Sequence, residues 1–214
     1  MANTDAPRGL VPIRHRNGAA YNGAAKPYYL PSSYATAVFI GDCVVKTGTS
    51  NTARVSAPGA GEFQIGTLPE VNRTTAGDSN SDAERITGVV VGFAANPNDL
   101  SKQYNPASTE RVVFVADDPD LVFEIQAPTA VTAAQIGLNT YLLDSHSGST
   151  TTGLSGTEAF GTPAADASYQ LLIQRQVNRA DNETNAVHNK VEVMISVHTE
   201  ASGMNTNAVG TLGI

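Results

Sequence analysis

The sequence predicts a mainly β protein: an antiparallel β-sandwich or barrel-like domain with an extended N-terminal arm and at most one short helix. Three observations lead there. Short runs rich in Val, Ile, Phe and Tyr recur between clusters of turn-forming residues. The 214 residues include 19 Gly and 11 Pro among many Ser, Thr and Asn, which leaves little room for long helices. Near the C-terminus two segments alternate apolar and polar residues with period two, the pattern of strands with one buried face. Three parts are expected: the arm over 1–34, the β domain over 35–200 and a flexible tail over 201–214.

The arm stands apart in composition. It holds Pro7, Pro12, Pro27 and Pro31 with Gly9, Gly18 and Gly23 between them, and proline biases its neighbours toward extended backbone. Little sheet and no helix are expected there. It also holds Tyr21, Tyr28, Tyr29 and Tyr34, four of the seven tyrosines. Disordered tails are poor in aromatics, so this arm is expected to pack on something, its own body or a neighbour.

The strands follow in order. Ala37 to Val45 reads as two short runs broken by a bend at Gly41-Asp42, and Glu62 to Ile65 as a further strand. Asn72 to Asp82 contains polar and small residues and is expected to be a loop. Ile86 to Phe93 is an apolar run with two glycines, consistent with burial on both faces. Arg111–Val115 and Leu121–Gln126 are strands separated by the turn Ala116-Asp-Asp-Pro-Asp120. One short helix is predicted over Thr129–Ile136, capped by Thr129 or Thr132 and stopped by Gly137. Tyr169–Gln176 and Val187–His198 form the predicted C-terminal hairpin across a turn at 178–186.

Charge divides unevenly. Residues 1–26 carry +3 and the rest of the chain −10, together the net −7. An acidic body repels phosphates, so no direct nucleic-acid partner is expected. No apolar run approaches the ~20 residues of a membrane helix, and the first ten residues lack the apolar stretch of a secretory signal. Synthesis in a cytoplasm is expected, with the single cysteine, Cys43, reduced.

No catalytic residues, cofactor or metal are predicted. Asp78-Ser-Asn80-Ser-Asp82 begins like a calcium loop, but Ala83 replaces the turn glycine and Val89 the bidentate carboxylate. Asp117, Asp118 and Asp120 read as an exposed turn. His188 and His198, ten residues apart on one strand, would lie about 33 Å apart and are read as solvent-facing. Asp144-Ser-His146 has hydrolase residue types without convergent geometry, and Gly153-Leu-Ser155-Gly lacks the last glycine of a nucleophile elbow. Gly61 to Thr67 lacks the lysine of a phosphate loop, and Cys43 in an apolar run reads as a small core residue.

Several segments carry a resemblance. Met1-Ala-Asn-Thr-Asp-Ala-Pro-Arg-Gly-Leu, Arg14-His-Arg-Asn-Gly-Ala, Tyr28-Tyr-Leu-Pro-Ser-Ser and Thr36-Ala-Val-Phe-Ile-Gly-Asp resemble tailed-bacteriophage head decoration (cement) proteins. The similarity extends more loosely to Val122-Phe-Glu-Ile-Gln, Gln135-Ile-Gly-Leu-Asn, Thr-Thr-Gly-Leu-Ser155 and Arg179-Ala-Asp-Asn-Glu. It implies a virion protein on the outer capsid surface, trimeric at local three-fold axes, whose partner is the major capsid protein and which bridges capsid subunits to stabilise the head. With the charge split, it points to Arg8, Arg14, Arg16, Tyr21, Lys26, Tyr28 and Tyr29 as partner-binding anchors. A body lacking residues 1–26 is then expected to stay folded. A β-rich receptor- or carbohydrate-binding module on a virion is the alternative, although outside the arm the only tyrosines for a sugar platform are Tyr104, Tyr141 and Tyr169.

Overall fold

The computed structural model describes residues 2–74, 85–96, 99–143 and 148–201, so the Asp78–Asp82 loop, the Asp144–His146 cluster and residues 202–214 lie outside it. The described strands are β1 (Val11–His15), β2 (Lys26–Leu30), β3 (Cys43–Ser50), β4 (Val55–Ala57), β5 (Gly61–Phe63), β6 (Pro69–Arg73) and β7 (Gly88–Phe93). They continue with β8 (Arg111–Ala116), β9 (Leu121–Gln126), β10 (Asn139–Thr140), β11 (Leu142–Leu143), β12 (Glu158–Ala159), β13 (Leu171–Gln176) and β14 (Lys190–Ile195). The chain is mainly β, as predicted, and is both barrel and sheet. Five strands close a small barrel in the order β2-β6-β3-β7-β8, and five form a sheet in the order β1-β9-β14-β13-β10. Two ribbons, β4-β5 and β11-β12, complete it. Every pairing between these strands is antiparallel except β2 on β6.

Alternation along single barrel strands sorts the core into layers, because successive side chains point to opposite faces. Val44, Val90, Val113 and Val115 point into the barrel beside Tyr28 and Leu30. Their neighbours Cys43, Val89 and Ala116 point out, toward Phe123, Ile125, Leu171, Ile173, Val191 and Val193 of the five-stranded sheet. Val112 points out on another side, where Val55, Ala57 and Leu68 cover it. This is why the 86–93 run is apolar without alternation: β7 is a barrel wall with a core on each side.

Several elements differ from the sequence reading, each for a physical reason. The turn expected over 116–120 begins only after Ala116, the last residue of β8, and carries the chain from the barrel to the sheet. Asp117 in that turn is buried rather than exposed, because Lys26 Nζ and Tyr28 Oη both donate to its Oδ2 at 2.8 Å. β6 occupies part of the predicted loop, held antiparallel to β3. The helix predicted over 129–136 reduces to one 3-10 turn, Ala133–Gln135, with Thr132 as its N-cap. Its first turn cannot form because Asn189 takes the Val131 backbone, accepting from its N–H at 3.1 Å and donating to its carbonyl at 2.8 Å.

The C-terminal hairpin forms as predicted, β13 against β14. Its second face is covered too: Glu192 and Met194 are buried along with Val191, Val193 and Ile195. His198 is 3% exposed rather than solvent-facing, because its backbone bridges to Ile86 and draws the ring inward.

Residues 2–34 lie on the body and contribute one strand to the five-stranded sheet and one to the barrel. β1 pairs with β9 at the sheet edge, with a bulge between Pro12 and Arg14. Proline is tolerated at such an edge because no ladder donor is needed on its outer side. The chain then turns back and covers that edge: Tyr21 N–H donates to the Ile13 carbonyl at 3.2 Å and His15 N–H to the Ala19 carbonyl at 2.7 Å. β2 pairs along its whole length with β8, from Lys26 opposite Val115 to Leu30 opposite Arg111.

Candidate functional site: the carboxylate-clamped N-terminal segment

Seven side chains were singled out by charge and aromaticity, and the structure places each against an acid or apolar surface of its own chain. The centre of the arrangement is a pair of glutamates. Glu124 on β9 and Glu192 on β14 stand directly opposite each other in the ladder, and both are buried. Two like charges side by side in a sheet repel and lose hydration, so each needs strong compensation. Arginines supply it from both directions.

Arg8 Nη2 donates to Glu124 Oε1 at 2.8 Å, while Arg179 grips the same carboxylate bidentately at 2.7 and 3.1 Å. Arg14 Nη2 donates to Glu192 Oε2 at 2.5 Å, and Arg175 Nε reaches that oxygen at 2.8 Å. One arginine of each pair comes from the N-terminal segment and the other from the C-terminal hairpin region. The bidentate planar fork is the geometry that arginine offers and lysine does not. The segment is clipped to the sheet through Arg8 and Arg14, each making one contact to a buried carboxylate that Arg179 or Arg175 holds from the other side.

The remaining predicted anchors extend the pattern. Arg16 pairs with Asp120 at 3.2 Å on the open surface, and its N–H donates to the Asp120 carbonyl at 2.7 Å. Lys26 and Tyr28 share Asp117. Tyr29 Oη donates to Glu110 at 2.7 Å, and Tyr21 packs beside the sheet core with its hydroxyl donating to the Ala24 carbonyl at 2.8 Å. Burial first, and then the hydrogen bonds to Asp117 and Glu110, push the Tyr28 and Tyr29 phenols well above the ordinary value. The side chains of Arg8, Arg16 and Lys26 nevertheless stay 46%, 69% and 69% exposed even while paired.

Sequence reasoning missed Glu124, Glu192, Asp117, Arg175 and Arg179 as parts of this site. A signal existed for Glu124: a lone charge inside the apolar run Leu121-Val-Phe-Glu-Ile125. Nothing local could have paired it with arginines 116 and 55 residues away.

Other candidate groups have structural roles. Ser155, the elbow-like serine, is 1% exposed and donates to Asp42 Oδ1 at 2.5 Å, tying two turns together. Tyr104 stacks on Phe39 with centroids 5.1 Å apart, and Tyr141 stacks on Phe160 at 4.4 Å with Tyr169 edge-on. Those rings are engaged with other rings of the chain. Cys43 is 2% exposed in the core, and burial pushes its thiol well above the ordinary value. An aromatic disulfide reagent is therefore expected to label the native protein far more slowly than the urea-unfolded protein; equal rates would place Cys43 at the surface.

The same groups set a pH dependence. Burial alone would raise the Glu124 and Glu192 carboxyls, but the arginine hydrogen bonds and charges together outweigh it and hold both below the ordinary 4.5. Burial holds the His198 imidazole below its ordinary 6.5, despite the nearby acids. In each case the folded state binds fewer protons than the unfolded state, so stability is full above the ordinary value and falls as pH drops below it. Urea midpoints are expected to decline in two stages, first below about pH 6.5 from His198 and then more steeply below about 4.5 from the glutamates. The first stage should vanish in His198→Gln; a midpoint flat from pH 8 to 4 would contradict the assignment.

No family model, curated protein or solved structure matches the chain.

Proposed function

We propose that this protein is a phage capsid decoration protein that binds the outer surface of the head and bridges major-capsid subunits as a trimer. The observation that carries this reading is the N-terminal segment. Its sequence resembles head decoration proteins, and it leaves the paired cations Arg8, Arg16 and Lys26 exposed on an otherwise acidic molecule. An apolar depression of about 350 Å³, lined by Leu10, Pro12, Tyr21, Ile40, Val91 and Leu154 with Arg8 at its side, gives a partner an apolar centre beside one cation. Rim cations mainly speed encounter and confer salt sensitivity, while the apolar centre supplies affinity. Because β1 and β2 are fixed in sheets, the segment presents these groups already ordered, which lowers the entropy lost on docking. Repetition on a lattice then multiplies modest contacts into high occupancy.

The test is co-sedimentation with heads stripped of decoration. Saturable binding is expected, weakened in the double variant Arg16→Ala, Lys26→Ala and more sensitive to salt in the native protein than in that variant. Failure to bind intact heads under any salt condition, or a stable monomer by light scattering both free and on heads, would overturn the reading.

A further inference from the structure

We propose that Asp5, Glu158 and His188 form a binding site for a divalent metal ion of the zinc class. The three residues come from the N-terminal segment, from β12 and from the turn before β14, and their ligand atoms all lie within 4.8 Å of one another. The expectation of no metal rested on the Asp78 loop and on the distance between His188 and His198; this cluster uses neither.

The geometry is close to what a small ion needs. Ligands about 2.1 Å from a tetrahedral centre stand about 3.4 Å apart. His188 Nδ1 and Asp5 Oδ1 are already 3.6 Å apart. Bringing in the Glu158 carboxylate takes at most about 1.4 Å of movement, within reach of a side-chain torsion.

A neighbouring amide shows which form of the imidazole faces the cluster. Ala6 N–H donates to Gln126 Oε1 at 3.2 Å, so the other end of that buried amide, Nε2, is the atom beside Asp5 and His188. Nε2 donates to Asp5 Oδ1 at 3.2 Å and lies 3.3 Å from His188 Nδ1. An amide nitrogen only donates, so in that contact Nδ1 presents its one lone pair to the amide, and an ion would take that lone pair in place of the Gln126 N–H. Two carboxylate groups and an imidazole nitrogen thus lie within 4.8 Å of one another, with Glu158 1% exposed. One nitrogen and two carboxylates suit a borderline ion such as zinc; calcium takes six to eight oxygens, more than this set provides. A bound ion would staple residues 2–10 to β12 and the 185–189 turn, reinforcing the hold of Arg8 on Glu124.

The experiment is calorimetric titration of the full chain, stripped with EDTA, with zinc chloride and separately with calcium chloride. One zinc per chain is expected, with a Tm rise of several degrees when zinc exceeds Kd by about 100-fold, and far weaker calcium binding. Asp5→Asn, at an exposed position, and His188→Asn, which suits the left-handed backbone there, should each weaken zinc at least about 10-fold with little change in metal-free Tm. His15→Gln, at the separate Asp118 contact, should leave affinity unchanged. No zinc binding by the native chain would overturn the proposal, and so would undiminished binding by both Asp5→Asn and His188→Asn.

Discussion

Deleting residues 1–26 is expected to abolish the cooperative fold or to lower its Tm by at least about 10 °C. The sequence reading anticipates a body that survives this truncation; the sheet topology argues otherwise. The deletion removes β1 and leaves the β9 edge unpaired. It removes Leu10, which is 1% exposed and whose burial contributes about 2 kcal/mol. It also takes away Arg8 and Arg14, leaving the facing carboxylates of Glu124 and Glu192 with one arginine each. Breaking a fully buried pair costs about 3–5 kcal/mol. Both arginines are partly exposed, so about 1–2 kcal/mol each is the better figure. Total stability of a domain is only about 5–15 kcal/mol, so these losses together consume much of it. Circular dichroism melting of the truncated chain is the check, and a Tm within a few degrees of the native value would show that the segment is an accessory.

Gly9→Ala is expected to cost about 3 kcal/mol or more, with a similar loss for Gly41→Ala. The two backbones cross here, where Leu10 N–H donates to the Gly41 carbonyl at 2.9 Å. A Cβ on Gly9 would lie 2.3 Å from Gly41 O, and one on Gly41 would lie 2.2 Å from Arg8 O. Both obstacles are backbone atoms in the core, so neither can swing aside. Each glycine also has a left-handed φ, +69° and +95°, which alanine adopts only at a cost of about 1–2 kcal/mol. Gly18 separates the two effects: its φ is +91° but a Cβ there meets nothing within 4 Å. Gly18→Ala should therefore show only the conformational cost. Urea denaturation of the three variants checks this, and equal losses at Gly9 and Gly18 would mean that the crossing is looser than the structure shows.

Strands built from β-branched runs were legible in the sequence. β7, β9, β13 and β14 fall within predicted segments and β8 overruns its own only by Ala116, because apolar pattern and burial agree there. β1 and β2 were not, since Val11-Pro-Ile-Arg-His and Lys26-Pro-Tyr-Tyr-Leu carry the prolines and charges that ordinarily mark loops. Their strand character comes from β9 and β8, over 80 residues distant, a tertiary override of local propensity. β6 was hidden for the same reason, with β3 as its template. The basic site residues of the N-terminal segment were legible from charge asymmetry, whereas Arg175 and Arg179 were not. Their acidic counterparts were not: Glu192 occupies a position that alternation assigns to solvent, yet it is buried beneath Arg14 of the N-terminal segment and Arg175 of β13.

Hydrogen–deuterium exchange resolved to single residues tests the central claim, that the N-terminal segment acts from within the fold. The amides of β1 and β2 that face β9 and β8 should be protected to the same degree as their partner strands, and should exchange with them in one cooperative unit. Exchange of residues 11–15 and 26–30 within seconds, while β8 and β9 stay protected for hours, would contradict it and return the segment to the role of a detached arm.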